Sequence, residues 1–90
     1  MTKTRKSIGT DGTIYYRNKN DELHREKGPA VIYTDGGCSY YLNNELRRTI
    51  SFAGIQRWSK NGQYHREDGP AVILSDGTRI WFKNGCELTR

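Results

Sequence analysis

The sequence predicts an all-β protein, an antiparallel meander of about four stacked β-hairpin repeats forming an elongated sheet. Three observations carry that expectation. The segment His24-Arg-Glu-Lys-Gly-Pro-Ala-Val-Ile returns 41 residues later as His65-Arg-Glu-Asp-Gly-Pro-Ala-Val-Ile, with one position of nine changed. Asp-Gly and Asn-Gly pairs, which tolerate the positive φ angles of two-residue hairpin turns, punctuate the chain. Between them lie short runs rich in β-branched and aromatic residues, such as Ala71-Val72-Ile73-Leu74 and Arg79-Ile80-Trp81-Phe82. No window sustains a helical period.

A finer unit underlies the long repeat. Asparagines at Asn18, Asn43, Asn61 and Asn84 each follow an aromatic residue by three positions: Tyr15, Tyr40, Trp58 and Trp81. Glycines at Gly12, Gly36, Gly54 and Gly77 precede those aromatics, and arginines at Arg25, Arg48, Arg66 and Arg90 follow the asparagines. The units run approximately over 7–25, 26–48, 49–66 and 67–90, within a single domain spanning 1–90. The first opens on the Asp11-Gly12 turn. The second and fourth open on Glu-x-Gly-Pro-Ala, where Pro29 and Pro70 can start a strand without costing a ladder hydrogen bond. The third carries Gly54, Trp58 and the Asn61-Gly62 turn. Two hairpins therefore make one full repeat of 41 residues, and eight to ten short strands are expected. A lone hairpin is unstable in water, so neighbours must share a buried face and the outermost ones act as caps.

Composition narrows the function classes. The chain has 90 residues, 33% of them hydrophobic, and a domain this small buries only about 60–65% of its unfolded surface. No apolar run is long enough to span a membrane, and Met1-Thr-Lys-Thr-Arg-Lys leads into no signal-peptide core, so a cytoplasmic protein is expected. Cys38 and Cys86 then read as free thiols. The two cysteines and two histidines lack paired ligand spacing, so no metal and no cofactor is expected. A net charge of +5 favours acidic partners, either nucleic acid or an acidic protein surface.

The candidate chemistry lies in His24-Arg25-Glu26 and its twin His65-Arg66-Glu67. Histidine beside a carboxylate can serve as a general base. Its duplication argues for scaffolding instead, with the arginine paired to a carboxylate and the histidine packing or capping the turn before Gly-Pro. Gly28 and Gly69 would then supply unusual backbone angles. No phosphate loop, nucleophile elbow or metal cluster is present, and a non-enzyme is expected.

Stacking in register would align Arg25, Arg48, Arg66 and Arg90 as a ladder, with Lys19, Lys60 and Lys83 near the turns. A basic stripe beside aromatics suits nucleic acid. Carboxylates interleaved with the arginines, among them Glu22, Glu26, Glu45, Glu67, Asp68 and Glu87, weaken that reading. Strand alternation would place Tyr15, Tyr40, Trp58 and Trp81 in the shared core and Tyr16, Tyr41 and Phe82 on the opposite face. Val31, Tyr33, Val72 and Leu74 would join that second face, which becomes the favoured surface for a protein partner or self-association.

The Gly–aromatic–Asn-Gly hairpins of Gly12 to Arg90 resemble MORN-type repeats. The His-Arg-Glu-Asp-Gly-Pro-Ala-Val variant, followed by Asp-Gly, Trp and Asn-Gly, is similar to repeats of uncharacterised bacterial, phage and giant-virus proteins. Regular Tyr-x-Gly spacing is absent. The resemblance implies an elongated β-sheet and interaction work, and it carries no catalytic residue to transfer. The expected function is a non-enzymatic protein-binding module of phage or mobile-element origin, working in the host cytoplasm. An inhibitor of a bacterial defence system, anti-CRISPR-like, fits that expectation. The alternative is a nucleic-acid-binding protein using the arginine and aromatic ladder.

Overall fold

The computed structural model describes residues 4–88. It contains eleven strands and no helix among them. The strands are β1 (Arg5–Ile8), β2 (Ile14–Arg17), β3 (Val31–Ile32), β4 (Cys38–Leu42), β5 (Glu45–Ile50), β6 (Gln56–Lys60), β7 (Gln63–Tyr64), β8 (Val72–Ile73), β9 (Arg79–Ile80), β10 (Phe82–Lys83) and β11 (Cys86–Glu87). The main sheet follows chain order from β1 to β6 and continues through β8 and β9, every pairing antiparallel. β7 folds back on β6, and β10 with β11 forms a separate ribbon. The predicted all-β antiparallel meander is therefore present. Its extents are 42 × 27 × 18 Å and its radius of gyration is 14.1 Å, above the ~12 Å of a compact chain this long.

Two turn chemistries alternate. At Asp11, Asp35 and Asp76 the carboxylate accepts from the amide two residues on, at 2.9 Å each, while Gly12, Gly36 and Gly77 take φ values of 92°, 97° and 92°. Only the glycine is left-handed there, so these are three-residue loops closed by a glycine bulge, not the two-residue turns expected. Two-residue turns occur at the asparagine tips. Asn43-Asn44, Asn61-Gly62 and Asn84-Gly85 each place two successive residues at positive φ.

Asn18 departs from its expected place among them. Residues 18–22 form a longer loop in which Asp21 takes the positive φ, and Asn18 is 3% exposed. Its Oδ1 accepts from the amides of Asn20 and Glu22, and its Nδ2 donates to Glu22 and to Asn43. The buried core is small: Ala30, Val31, Ala71 and Val72, with Thr13, Asn18, His24, Ser39 and His65 as buried polar groups.

Register decides the faces. Tyr15, Val31, Ser39, Thr49, Arg57, Val72 and Ile80 pair across successive strands and share one face. Tyr40, Arg48 and Trp58 pair in the adjacent row, on the other face, and Tyr16 belongs with them. Tyr15 is thus separated from Tyr40 and Trp58, against expectation. The cause is one extra residue: eight positions separate Tyr16 from His24, and seven separate Trp58 from His65. A one-residue slip exchanges the faces of a strand. Val31 and Val72 are likewise buried, so neither contributes to an open binding surface.

Candidate binding groove

Each His-Arg-Glu-x-Gly-Pro loop is clamped to a single aromatic residue. The Tyr16 carbonyl accepts from His24 N at 3.0 Å and its amide donates to Ala30 O at 2.7 Å. Trp58 holds His65 and Ala71 in the same manner, at 3.0 and 2.8 Å. Residues 25–29 and 66–70 therefore bulge away from the ladder and rejoin it at the same rung. Each bulge wraps its arginine over the ring that anchors it. The Arg25 guanidinium lies 4.0 Å from the Tyr16 ring centre, and that of Arg66 lies 3.9 Å from Trp58. Arg25 Nη1 donates to Pro29 O and Arg66 Nη1 to Pro70 O, at 3.2 and 3.1 Å.

The glycines make room for this packing. A Cβ on Gly28 would stand 3.1 Å from the Arg25 guanidinium carbon, and one on Gly69 would stand 3.0 Å from that of Arg66. Neither glycine has positive φ, so the expected role in backbone angle is replaced by one in side-chain clearance.

The histidines are latches. His24 Nδ1 accepts from the Asn43 amide and His65 Nδ1 from the Asn84 amide, both at 2.9 Å and both 19 residues downstream. The turn they cap belongs to the following hairpin, not to their own Gly-Pro. Because a backbone N–H can only donate, Nδ1 is the acceptor and Nε2 carries the proton of the neutral ring. His65 Nε2 meets Glu67 at 2.7 Å, whereas His24 Nε2 stops 3.5 Å from Glu26 and has no hydrogen-bond partner. Both rings are buried, at 4% and 8% exposure, so neither offers a free lone pair to a substrate. The hydrogen bond from His65, and after it the charge of Lys83 at 3.5 Å, holds the Glu67 carboxyl below its ordinary range.

Arg48 completes the series. It projects from β5 between Tyr40 on β4 and Trp58 on β6, its guanidinium 5.4 Å and 4.6 Å from the two ring centres. Its Nη2 donates to Gln56, while its Nε is buried without a partner. Trp58 thus receives both Arg48 and Arg66. Arginine and aromatic alternate across the sheet from Tyr16 to Arg66. Around Arg48 the surface forms a groove of about 450 Å³, with Tyr40 and Trp58 at its centre and the two loops as walls.

Of the sequence-predicted residues, Arg25, Arg48 and Arg66 line this groove together, and Tyr41 borders it beyond the β-bulge at Tyr40/Tyr41. Tyr16 joins through Arg25. Phe82 does not: it packs edge-on against Tyr64, 5.1 Å between ring centres, in the last hairpin. Tyr16, Tyr41 and Phe82 therefore form no common patch. Arg90 lies outside the described residues. Among the expected carboxylate partners, Asp68 meets Arg66 at 3.2 Å, while Arg25 and Arg48 stack on rings and make no ion pair among the described residues.

Tyr40 and Trp58, expected in the shared core, border the groove, as do Lys60, expected as added charge near a turn, and Arg47, to which the sequence assigns no role. The frame set by the histidines does not align Tyr16 with Trp58 either: it places Trp58 opposite Arg17, because the stretch between Tyr16 and His24 is one residue longer.

Among the described residues no cluster of histidine, cysteine, aspartate or glutamate could hold a metal ion, and Cys38 and Cys86 are free. No described helix is long and apolar enough to cross a membrane. No family model, curated protein or solved structure matches the chain.

Proposed function

We propose that this chain is a non-enzymatic protein-binding module, of phage or mobile-element origin, that acts by occluding a host complex such as a bacterial defence system. The observation that carries the reading is the use made of the duplicated His-Arg-Glu. Its most reactive groups are spent on latching hairpins and stacking rings, and the result is a preformed basic groove at the centre of the sheet. Central aromatic and arginine side chains are the residues that dominate protein interfaces. The origin and the target class rest on the resemblance of the repeat.

The test is photo-crosslinking in nuclease-treated bacterial lysate, from a probe placed at Lys60. One discrete protein adduct is expected. An adduct that disappears with nuclease, or none at all, overturns the reading.

Direct nucleic-acid binding remains as a second reading, favoured by the guanidinium series Arg25, Arg48 and Arg66. It predicts affinity for short RNA or DNA that falls steeply with salt, with a slope near one per phosphate contacted. Salt-independent binding removes it.

A further inference from the structure

We propose that the groove around Arg48 receives an extended acidic segment of a partner protein, with one carboxylate of that segment seated on the Arg48 guanidinium. The inference rests on the protein-binding reading and names the partner's chemistry. Four observations converge on it.

The first is shape. A volume of about 450 Å³ lies within the range of about 300–1,000 Å³ typical of sites that enclose a small group, and it suits a few residues of extended chain better than a flat surface. The second is charge. Arg25, Arg47, Arg48, Lys60 and Arg66 border the groove against only two carboxylates, Glu26 and Glu67. Glu67 is already engaged by His65 and Lys83. A groove bordered mostly by one sign of charge focuses its field on a ligand of the other.

The third observation is the state of Arg48. Its guanidinium lies over the rings of Tyr40 and Trp58, and a carboxylate meets the N–H edge of a guanidinium with two parallel hydrogen bonds. Its Nε is buried and unpartnered. With Nη2 held by Gln56 and the rings of Tyr40 and Trp58 beside it, the guanidinium is fixed before a ligand arrives, which lowers the ordering cost of binding.

The fourth separates protein from nucleic acid. Single-stranded binding draws on bases stacking on open aromatic faces. Trp58 carries two guanidiniums over its ring, at 4.6 and 3.9 Å, and Tyr16 carries Arg25. A base would have to displace an arginine to stack there. An acidic side chain needs no such displacement.

Fluorescence anisotropy on the full chain tests this. The probe is a fluorescein-labelled peptide of repeating Glu-Gly-Leu triplets, compared with its Gln-Gly-Leu counterpart and with oligouridylate. The glutamate peptide should bind, and the glutamine peptide should bind at least about tenfold weaker, the loss expected when a charge-assisted bidentate contact disappears. Arg48→Met should weaken the glutamate peptide by a similar factor. Arg79→Met removes the same charge from the same face outside the groove and should leave binding within about twofold.

Circular dichroism establishes that each variant is folded. If Arg48→Met unfolds the chain, Arg47→Gln at the exposed groove margin takes its place and should weaken binding severalfold. Equal losses from the groove variant and Arg79→Met would show attraction by net charge only and overturn the inference. Equal binding of the two peptides, tighter binding of oligouridylate, or no binding of the glutamate peptide would overturn it too. A discrete protein adduct from lysate alongside any of these results leaves the binding module standing and removes only the acidic segment.

Discussion

Residues 24–31 and 65–72 share their histidine latch, arginine stacking and backbone clamp and differ only in what the acidic positions reach, while the stretches just before them, 17–23 and 59–64, differ in path and burial. Within the loops the identical residues are tied to backbone groups: histidine to a turn amide, arginine to a proline carbonyl, alanine to an aromatic amide. Backbone groups are fixed in position by the ladder, so the side chains that serve them cannot drift. Hairpin tips have more freedom. At Asn61-Gly62 the asparagine side chain serves no other tip and the turn rests on positive φ and an outside acceptor, Glu45, but Asn18 turns inward and holds together its own loop and the Asn43 tip.

The largest break in this comparison should come from Asn18→Ala. It removes four hydrogen bonds from a buried side chain, and urea denaturation should register a loss of about 2–3 kcal/mol. Asn61→Ala at the matching tip places alanine in a left-handed turn and should cost only about 1 kcal/mol. Equal losses would mean that the two tips are energetically alike despite their geometry.

His24→Ala and His65→Ala come next. Each leaves the amide of Asn43 or Asn84 without its acceptor, a loss of about 1–2 kcal/mol. Hydrogen exchange should speed up at the downstream asparagine and not in the histidine's own loop. Exchange confined to the Gly-Pro segment would contradict the latch.

Arg25→Met and Arg66→Met should each cost about 1 kcal/mol by chemical denaturation, through the lost stacking and carbonyl contact, and by similar amounts in both repeats.

The smallest effect lies in the acid limb. Because the Glu67 carboxyl is held below its ordinary range by His65 and then Lys83, its stabilisation is present above the ordinary carboxylate value. It is lost as pH falls through the lowered folded value. Glu67→Gln should therefore lower stability slightly at neutral pH and leave it unchanged in strong acid, as followed by thermal melts across pH.

Much of the fold was legible because it is written in local chemistry. Asp-Gly and Asn-Gly mark the turns, and the 41-residue repeat marks the modules. The arginine series was legible too, since Arg25, Arg48 and Arg66 recur at matching places. The aromatic faces were misread because Tyr15 and Tyr16 are adjacent and alike, and one residue added before His24 changes which of them meets the arginine. The histidine's partner was hidden because it lies 19 residues away across two strands. The role of Gly28 and Gly69 was hidden because absence of a side chain has two uses, freedom of angle and empty space, and sequence does not distinguish them.

The latches have a direction. The Asn43 tip is held by His24, the Asn61 tip by Glu45 Oε2 at 2.9 Å, and the Asn84 tip by His65, in each case from a hairpin earlier in the chain. As the chain leaves a ribosome, the acceptor for each new tip has therefore already emerged, and hairpins can lock one after another without waiting for residues still to be made. The same polarity makes the 41-residue module a cassette. A tandem copy brings its own latch for the tip that follows, so the sheet can lengthen by gene duplication with no compensating change upstream.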